Sequence, residues 1–156
     1  MADLVVTITE SVTLNGTARG SSNALTITGV DDIYHRIITC PDDVPVTVAT
    51  FHSTTGVSDS SLDVENVKYI RVTNLDASTS ATLSLQSDVG EDDSVADESA
   101  SLLIEAGKSF IMGSPNDGIG ISDANANLVT DLVDLESLVI FTGGSAVDIE
   151  VFVASA

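Results

Sequence analysis

The chain has 156 residues, of which 43% are apolar and only 4% aromatic, and its 24 acidic and five basic side chains give a net charge of −19. Nucleic-acid binders owe most of their affinity to Lys and Arg that neutralise phosphates, so this charge argues against nucleic acid as a partner, and equally against an anionic membrane. An acidic surface of this kind is typical of high solubility, of a saline environment or of docking onto a basic partner.

The length and the N-terminal sequence indicate the general class of protein. A chain of this size suits one domain, which we assign to residues 1–156. The opening stretch MADLVVTITESV lacks the basic region and the continuous apolar run of a secretory signal. No segment approaches the roughly 20 apolar residues of a membrane helix. We therefore expect a soluble domain that is made in a cytoplasm.

The first third of the chain alternates apolar and polar residues with a period of two, which is typical of half-buried strands. Strands are predicted over 4–9, 24–30, 33–40 and 44–51. The first is extended as far as a turn at Asn15-Gly16. Pro41 ends the third, because proline has no N–H to donate to a sheet ladder. The fourth is expected to place Val44, Val46 and Val48 on one face.

Three later segments are interpreted as β-hairpins, because each alternates on both sides of a short turn. They are 69–86 (YIRVTNLDASTSATLSLQ), which breaks at Asn74-Leu75-Asp76; 101–113 (SLLIEAGKSFIMG), which turns at Ala106-Gly107-Lys108; and 135–154, which turns at Gly143-Gly144. In the last of them four side chains are predicted to point inward: Val147, Ile149, Val151 and Val153.

Polar segments connect these strands. Residues 53–66 and 114–127 consist largely of turn formers, and 88–98 holds six acids and no base, as expected of a solvated loop. Four residues recur at helical spacing: Leu128, Leu132, Leu135 and Val139. A short helix over 127–134 is therefore an alternative to strand there. The whole pattern predicts an all-β fold, an antiparallel β-sandwich or jelly roll of about nine or ten strands with at most one short helix.

Residue types that carry chemistry are few. Cys40 is the only cysteine, so no intramolecular disulfide can form, and its place in a strand favours a small buried hydrophobe over a reactive thiol. His35 shares a strand face with Ile33 and Ile37, which favours a packed or interface histidine over a ligand or base. His52 ends a strand, and no G-x-S-x-G elbow accompanies it. No catalytic residue is assigned, and the chain is not expected to be an enzyme.

Acidic loops offer the remaining candidates for a ligand site. One cysteine and two histidines are too few for a zinc cage. Asp123, Asn125 and Asn127 imitate the start of an EF-hand calcium loop, but Leu128 stands where that loop needs glycine. The acidic cluster Glu91-Asp92-Asp93 is a second candidate. A solvated loop is the favoured interpretation in both places, so no metal and no other cofactor is predicted.

Lys68 and Arg71 stand out as neighbouring bases in an acidic chain. They can pair with carboxylates within the fold, which is the favoured interpretation, or with the acidic edge of another subunit.

Four segments in a fixed order resemble a known class of protein. They are YHRIITCPDDVPVTVATF, VKYIRVTNLDASTSATLSLQ, SLLIEAGKSFIMGS and AVDIEVFVASA. Together they resemble small β-rich virion proteins of tailed phages, especially marine and cyanobacterial phages, over most of the chain from residue 30 onward. KYIRVTNLD and EAGKSF are the most specific pieces.

The resemblance implies a structural role in a virion and no catalytic residues. Most directly it implies a capsid decoration or cement protein that stabilises the shell at subunit junctions. The major capsid protein is then the partner, a homotrimer the expected assembly, and the capsid surface the location. The alternative is a tail or head-fibre subunit of the adsorption apparatus, present in far fewer copies per virion. A carbohydrate- or calcium-binding attachment module ranks third, because no aromatic platform is evident, and an enzyme ranks last.

Overall fold

The structure is a computed structural model and describes residues 1–52, 61–87, 98–113, 120–121 and 132–156. These residues form strands almost throughout, and the helical turn among them is a 3-10 turn over Val64–Asn66. In this part of the chain no helix has the length and apolar character needed to cross a membrane. The all-β fold predicted from the sequence is confirmed.

The strands are numbered in chain order. The first four are β1 (Ala2–Thr9), β2 (Val12–Leu14), β3 (Thr17–Arg19) and β4 (Ser22–Val30). The next four are β5 (Asp32–Cys40), β6 (Val46–His52), β7 (Leu62–Asp63) and β8 (Val67–Asn74). The others are β9 (Ala81–Ser87), β10 (Glu98–Ile104), β11 (Ser109–Gly113), β12 (Gly120–Ile121), β13 (Val133–Asp134), β14 (Ser137–Phe141) and β15 (Val147–Ser155). Ten of these strands have five residues or more, in line with the predicted number, and the others have two or three.

Eight of the longer strands build two antiparallel sheets that face each other. The four-stranded sheet has the order β11-β8-β15-β5. The five-stranded sheet has the order β10-β9-β14-β6-β7, in which β7 is a short parallel addition to β6. Leaving the two-residue strands aside, the chain changes sheet at every step from β5 to β15 except between β9 and β10. This is the strand order of a jelly roll, in which two Greek keys wrap around one core.

Aliphatic side chains fill the space between the two sheets. The four-stranded sheet contributes Ile70, Val72, Ile149 and Val151, and the five-stranded sheet contributes Leu83, Leu85, Leu138 and Ile140. Every second residue of β15 from Val147 to Val153 is at most 1% exposed, which confirms the predicted inward face. The period-two pattern thus gives each strand one face for the core. We call β5 to β15 the body.

The three predicted β-hairpins are wrong in their pairing. The strands on either side of Asn74, of Gly107 and of Gly143-Gly144 belong to opposite sheets, so each of these segments is a corner of the jelly roll. The first corner has a visible cause. Asn74 is fully buried, and its side-chain amide donates to the main-chain oxygens of Thr79 (2.8 Å) and Ile104 (3.2 Å). These bonds hold the end of β8 against the corner and the neighbouring sheet.

The two prolines near β5 and β6 set strand boundaries. β5 ends at Cys40, directly before Pro41, as predicted. The predicted strand face that begins at Val44 is wrong, because β6 begins at Val46 and Val44 is 49% exposed. Pro45 lies between them and has no N–H with which to extend the ladder.

Most of the predicted loops lie outside the described residues. Of 53–66, the described part holds β7 and the 3-10 turn. Of 88–98, only Glu98 is described, as the first residue of β10. The alternative helix over 127–134 also falls outside, except for 132–134, where Val133–Asp134 forms β13 against β12.

A long β-hairpin, which we call the arm (β1 to β4), precedes the body. β1 pairs with β4 to form its base, and β2 pairs with β3 to form its tip. The tip turns at Asn15 (φ 51°) and Gly16 (φ 75°), the two left-handed residues that a type I′ turn requires, so the predicted turn is confirmed. The base packs through Leu4, Val6, Leu25, Ile27 and Val30 on Tyr69, Phe152 and Ala154 of the four-stranded sheet.

Candidate functional site

A cluster of charged and aromatic side chains lies on the outer face of the four-stranded sheet, beside the base of the arm. We call it the outer-face cluster: His35 on β5, Arg71 on β8, and Glu150 and Phe152 on β15. Phe152 is directly opposite His35 on one neighbouring strand and Arg71 on the other. The His35 and Phe152 ring centroids are 5.7 Å apart, and Cζ of Arg71 lies 6.0 Å from the Phe152 centroid. The sheet thus gathers residues that are far apart in sequence.

Glu150 is the centre of this cluster. Nη1 of Arg71 donates to its Oε2 at 2.6 Å, and Nε2 of His35 lies 2.8 Å from its Oε1. The Arg71 hydrogen bond, followed by the His35 one, lowers the pKa of the Glu150 carboxyl below its ordinary value. Both carboxylate oxygens are engaged by cationic or potentially cationic groups. The geometry therefore describes an ionised Glu150 carboxylate that links neighbouring strands, rather than a carboxylate that is free to act as a general base.

The predicted pairing of the two neighbouring bases is half right. Arg71 pairs with Glu150 within the fold, as favoured. Lys68 does not reach a carboxylate among the described residues, and its Nζ donates instead to the main-chain oxygen of Glu65 at 2.8 Å. The sequence predicts a packed or interface histidine for His35. The interface alternative stays a prediction, whereas the packed alternative is wrong, because the His35 side chain is 51% exposed. Ile33 and Ile37 share its outward face and are exposed as well.

Cys40 behaves as the sequence predicts. It is fully buried in the core between the sheets. Burial away from water, followed by the negative charge of Asp148, raises the pKa of the thiol to about 11. Thiolate is the reactive form of cysteine, so this side chain is a small hydrophobe in the folded protein.

The other sequence candidates do not come together in the described residues. His52 ends β6, and its neighbour Ser53 lies outside the described residues. The calcium-loop candidate 123–127 and the acidic cluster 91–93 lie outside them too. Within the described ranges no group of three or more His, Cys, Asp or Glu side chains is placed to hold a metal ion.

A polar cleft of about 460 Å³ opens between the edges of the two sheets, where β5 faces β6. Tyr34 crosses it and donates through its hydroxyl to the main-chain oxygen of Val48 at 2.9 Å. Cζ of Arg36 lies 5.4 Å from the centroid of the Tyr34 ring, and Asp32 lines the same cleft. Tyr34 links the two sheets across this cleft. Its contacts therefore have a structural role in the fold, and we do not assign the cleft as a ligand site.

The arm presents an exposed aliphatic surface in the described part of the chain. Residues 7–24 are exposed without exception, including Ile8 (50%), Val12 (56%) and Leu14 (59%). An apolar groove of about 280 Å³ runs where the arm leaves the body, between its base and the edge strand β11. Its lining contains no charged residue and comprises Val6, Ile8, Asn23, Ala24, Leu25, Tyr69, Ile111 and Gly113.

Charge distinguishes the arm from the body. Residues 1–30 hold two acids and one base, whereas residues 31–156 hold the other 22 acids and four bases. The sequence predicts strands and a turn in this segment but not the exposure of its aliphatic side chains. The one available signal was this near-neutral, aliphatic segment in a strongly acidic chain.

The geometry therefore combines an exposed aliphatic surface on the arm with an ionic cluster on the outer face of the four-stranded sheet beside it. Comparisons with models of protein families, with curated proteins and with solved structures found no match to this chain.

Proposed function

We propose that the chain is a non-enzymatic structural protein of a tailed-phage virion that decorates or cements the capsid at the junctions of shell subunits. The observation that carries the proposal is a jelly-roll body with a projecting arm of exposed aliphatic residues. Jelly rolls recur in viral capsid proteins, where the two-sheet core supplies a rigid block and the corners and edges supply contacts.

The resemblance to small virion proteins of tailed phages supports the same role independently of the fold. KYIRVTNLD comprises most of β8 and the start of the corner that follows it, and EAGKSF comprises the corner between β10 and β11 together with the first two residues of β11. Both pieces therefore belong to the elements that turn the chain from one sheet to the other. They are features of the folded block, and they contribute no catalytic group.

The proposed mechanism is the addition of contact area across shell subunits. A standard interface buries about 800 Å² on each partner, and a decoration protein repeats that contact at every junction of the shell. The acidic body would meet basic loops of the major capsid protein, with binding that weakens as salt screens the charges. A homotrimer would place several such contacts around one junction.

Copy number in the particle tests the proposal. Virions of the phage that encodes the chain are purified, and mass spectrometry measures its amount relative to the major capsid protein. A copy number that scales with the shell junctions supports a decoration protein. A few copies per particle would contradict a decoration protein and favour the tail or head-fibre alternative. Absence of the chain from the particle would overturn a virion role.

A second measurement tests the cementing action itself. Particles from a phage that lacks the gene are expected to lose their contents at a lower temperature, and added purified protein is expected to restore the wild-type temperature. Bovine serum albumin at the same concentration serves as an acidic control protein. Equal heat tolerance of both particles, with no binding of the added protein, would contradict cementing.

A further inference from the structure

We propose that the tip of the arm seats in the apolar groove of a second copy of this chain, so that the protein assembles with itself head to tail. This self-association holds independently of the virion role and concerns the purified protein alone. The two surfaces involved are the tip face of β2 and β3 and the groove beside β11.

The tip needs a cover that its own chain does not provide among the described residues. An isolated two-stranded hairpin is marginally stable in water, and a supporting sheet or face normally stabilises it. Here β2 and β3 pair only with each other, and all six of their residues are exposed. Val12 and Leu14 lie on one face because strand side chains alternate. Covering that face would remove two aliphatic side chains from water.

The groove provides an apolar surface that would cover the exposed tip face. Ile8 and Leu25 line it from the arm, and Ile111 lines it from the edge of the four-stranded sheet. Ile111 is 44% exposed, and its outward position follows from Phe110 and Met112, which pack against the main core. The groove is uncharged along its length, so it accepts aliphatic side chains without leaving a charge buried.

The distribution of charge favours a second copy of this chain as the occupant of the groove. A basic partner would bind the body, which carries most of the acids, rather than an uncharged groove. Two copies repel each other through their bodies, and contact through the near-neutral arm is the arrangement that reduces this repulsion.

Arg19 adds an electrostatic attraction between copies. It lies directly opposite Val12 on the tip face, and in the described part of the chain no side-chain hydrogen bond or ion pair reaches its guanidinium group. A neighbouring acidic body supplies carboxylates for it.

The two complementary surfaces differ from each other, which fixes the kind of assembly. A tip that fits a groove makes a heterologous contact, and such contacts close into a ring or, where the rotation between copies does not close, continue into an open filament. Each copy then gives one tip and receives another.

Asparagine substitutions test the contact without changing the net charge. The tip variant is Leu14→Asn, the groove variant is Ile111→Asn, and Thr13→Asn is the matched control on the opposite face of β2. Mass is measured by light scattering on a sizing column, and folding is verified by circular dichroism. Wild type and Thr13→Asn are expected to exceed the 16.1 kDa of one chain. Each of the other variants is expected to dissociate at least about tenfold more readily, because a buried aliphatic contact is lost.

Mixing the two variants gives the decisive result. The tip of the Ile111→Asn chain is intact, and so is the groove of the Leu14→Asn chain, so a one-to-one mixture is expected to form pairs. A monomeric wild type, a Leu14→Asn variant that assembles like wild type, or folded variants that do not pair would each overturn the proposal. Val12→Asn replaces Leu14→Asn if the latter does not fold. None of these results bears on the copy number in virions, so the two proposals fail separately.

Discussion

The side chain of Asn74 on β8 donates a hydrogen bond of 3.2 Å to the main-chain oxygen of Ile104 at the end of β10, and so joins the two sheets at one end of the jelly roll. The same amide donates to Thr79, and its Oδ1 accepts from the N–H of Asp76. One buried polar side chain therefore fixes both the corner after β8 and the contact with the facing sheet.

Replacing Asn74 is expected to weaken the whole fold. Asn74→Ala leaves buried main-chain groups without partners and should lower the free energy of unfolding by about 2–4 kcal/mol. For a chain of this size the melting temperature should fall by roughly 5–15 °C. Asn23→Ala is the matched control, because Asn23 is an exposed amide on the arm. Equal melting temperatures for the two variants would show that the corner does not depend on this side chain.

This corner also shows how far the sequence predicts the fold. The alternation around Asn74 correctly predicts two strands, because the side-chain period follows from strand geometry alone. It does not predict which sheet the second strand joins. A short turn with strands on both sides fits a hairpin and a sheet-to-sheet corner equally well, and the choice depends on tertiary bonds such as the one to Ile104.

The candidate surfaces were predictable to different degrees. The Asn15-Gly16 turn was evident because few residue pairs adopt left-handed angles. The outer-face cluster was not, since nothing local relates His35, Arg71 and Glu150 until β5, β15 and β8 are placed side by side. The exposure of Leu14 was equally hard to predict. An alternating strand has the same sequence pattern whether its aliphatic face is covered by a core or left exposed to solvent.

Glu150 is expected to make stability depend on pH in the acid range. Its pKa is lowered in the folded protein, first by the hydrogen bond from Arg71 and then by that from His35. A carboxyl with a lowered folded pKa stabilises the fold above its unfolded pKa of about 4.3, and this contribution is lost as the pH falls through the folded value. Melting temperatures of wild type and Glu150→Gln should therefore differ most near neutral pH and converge in acid.

The other carboxylates of the chain also titrate in this range, so the difference between variants is the quantity to measure. Glu105→Gln is the matched control, because Glu105 is exposed and its side chain has no hydrogen-bond or ion-pair partner in the described part of the protein. Its melting profile should run parallel to that of wild type. A Glu150→Gln profile that also runs parallel would mean that the tie to Arg71 and His35 contributes nothing to stability.

Gly20 is expected to determine the shape of the arm. It lies at the junction of base and tip, where the N–H of Glu10 donates to the main-chain oxygen of Ser21 at 2.8 Å. A Cβ at position 20 would collide with the carbonyl oxygen of Glu10 and lie 2.9 Å from its carbonyl carbon. Backbone atoms cannot yield as a flexible side chain does, so Gly20→Ala should open this junction. Hydrogen exchange of the amides in 9–22 should then accelerate, whereas the melting temperature of the body should change little.

Gly143→Ala is the control for Gly20→Ala, because the nearest atom to its added Cβ, on Phe141, is 3.8 Å away, an ordinary contact. That variant should keep both the exchange rates of the arm and the mass of the assembly. If the tip seats in a second copy, Gly20→Ala should also reduce self-association, since a displaced tip no longer presents Leu14 to the groove. Unchanged protection of the arm amides in Gly20→Ala would show that the junction tolerates a side chain. In that case the close approach to Glu10 would not be what sets the direction of the arm.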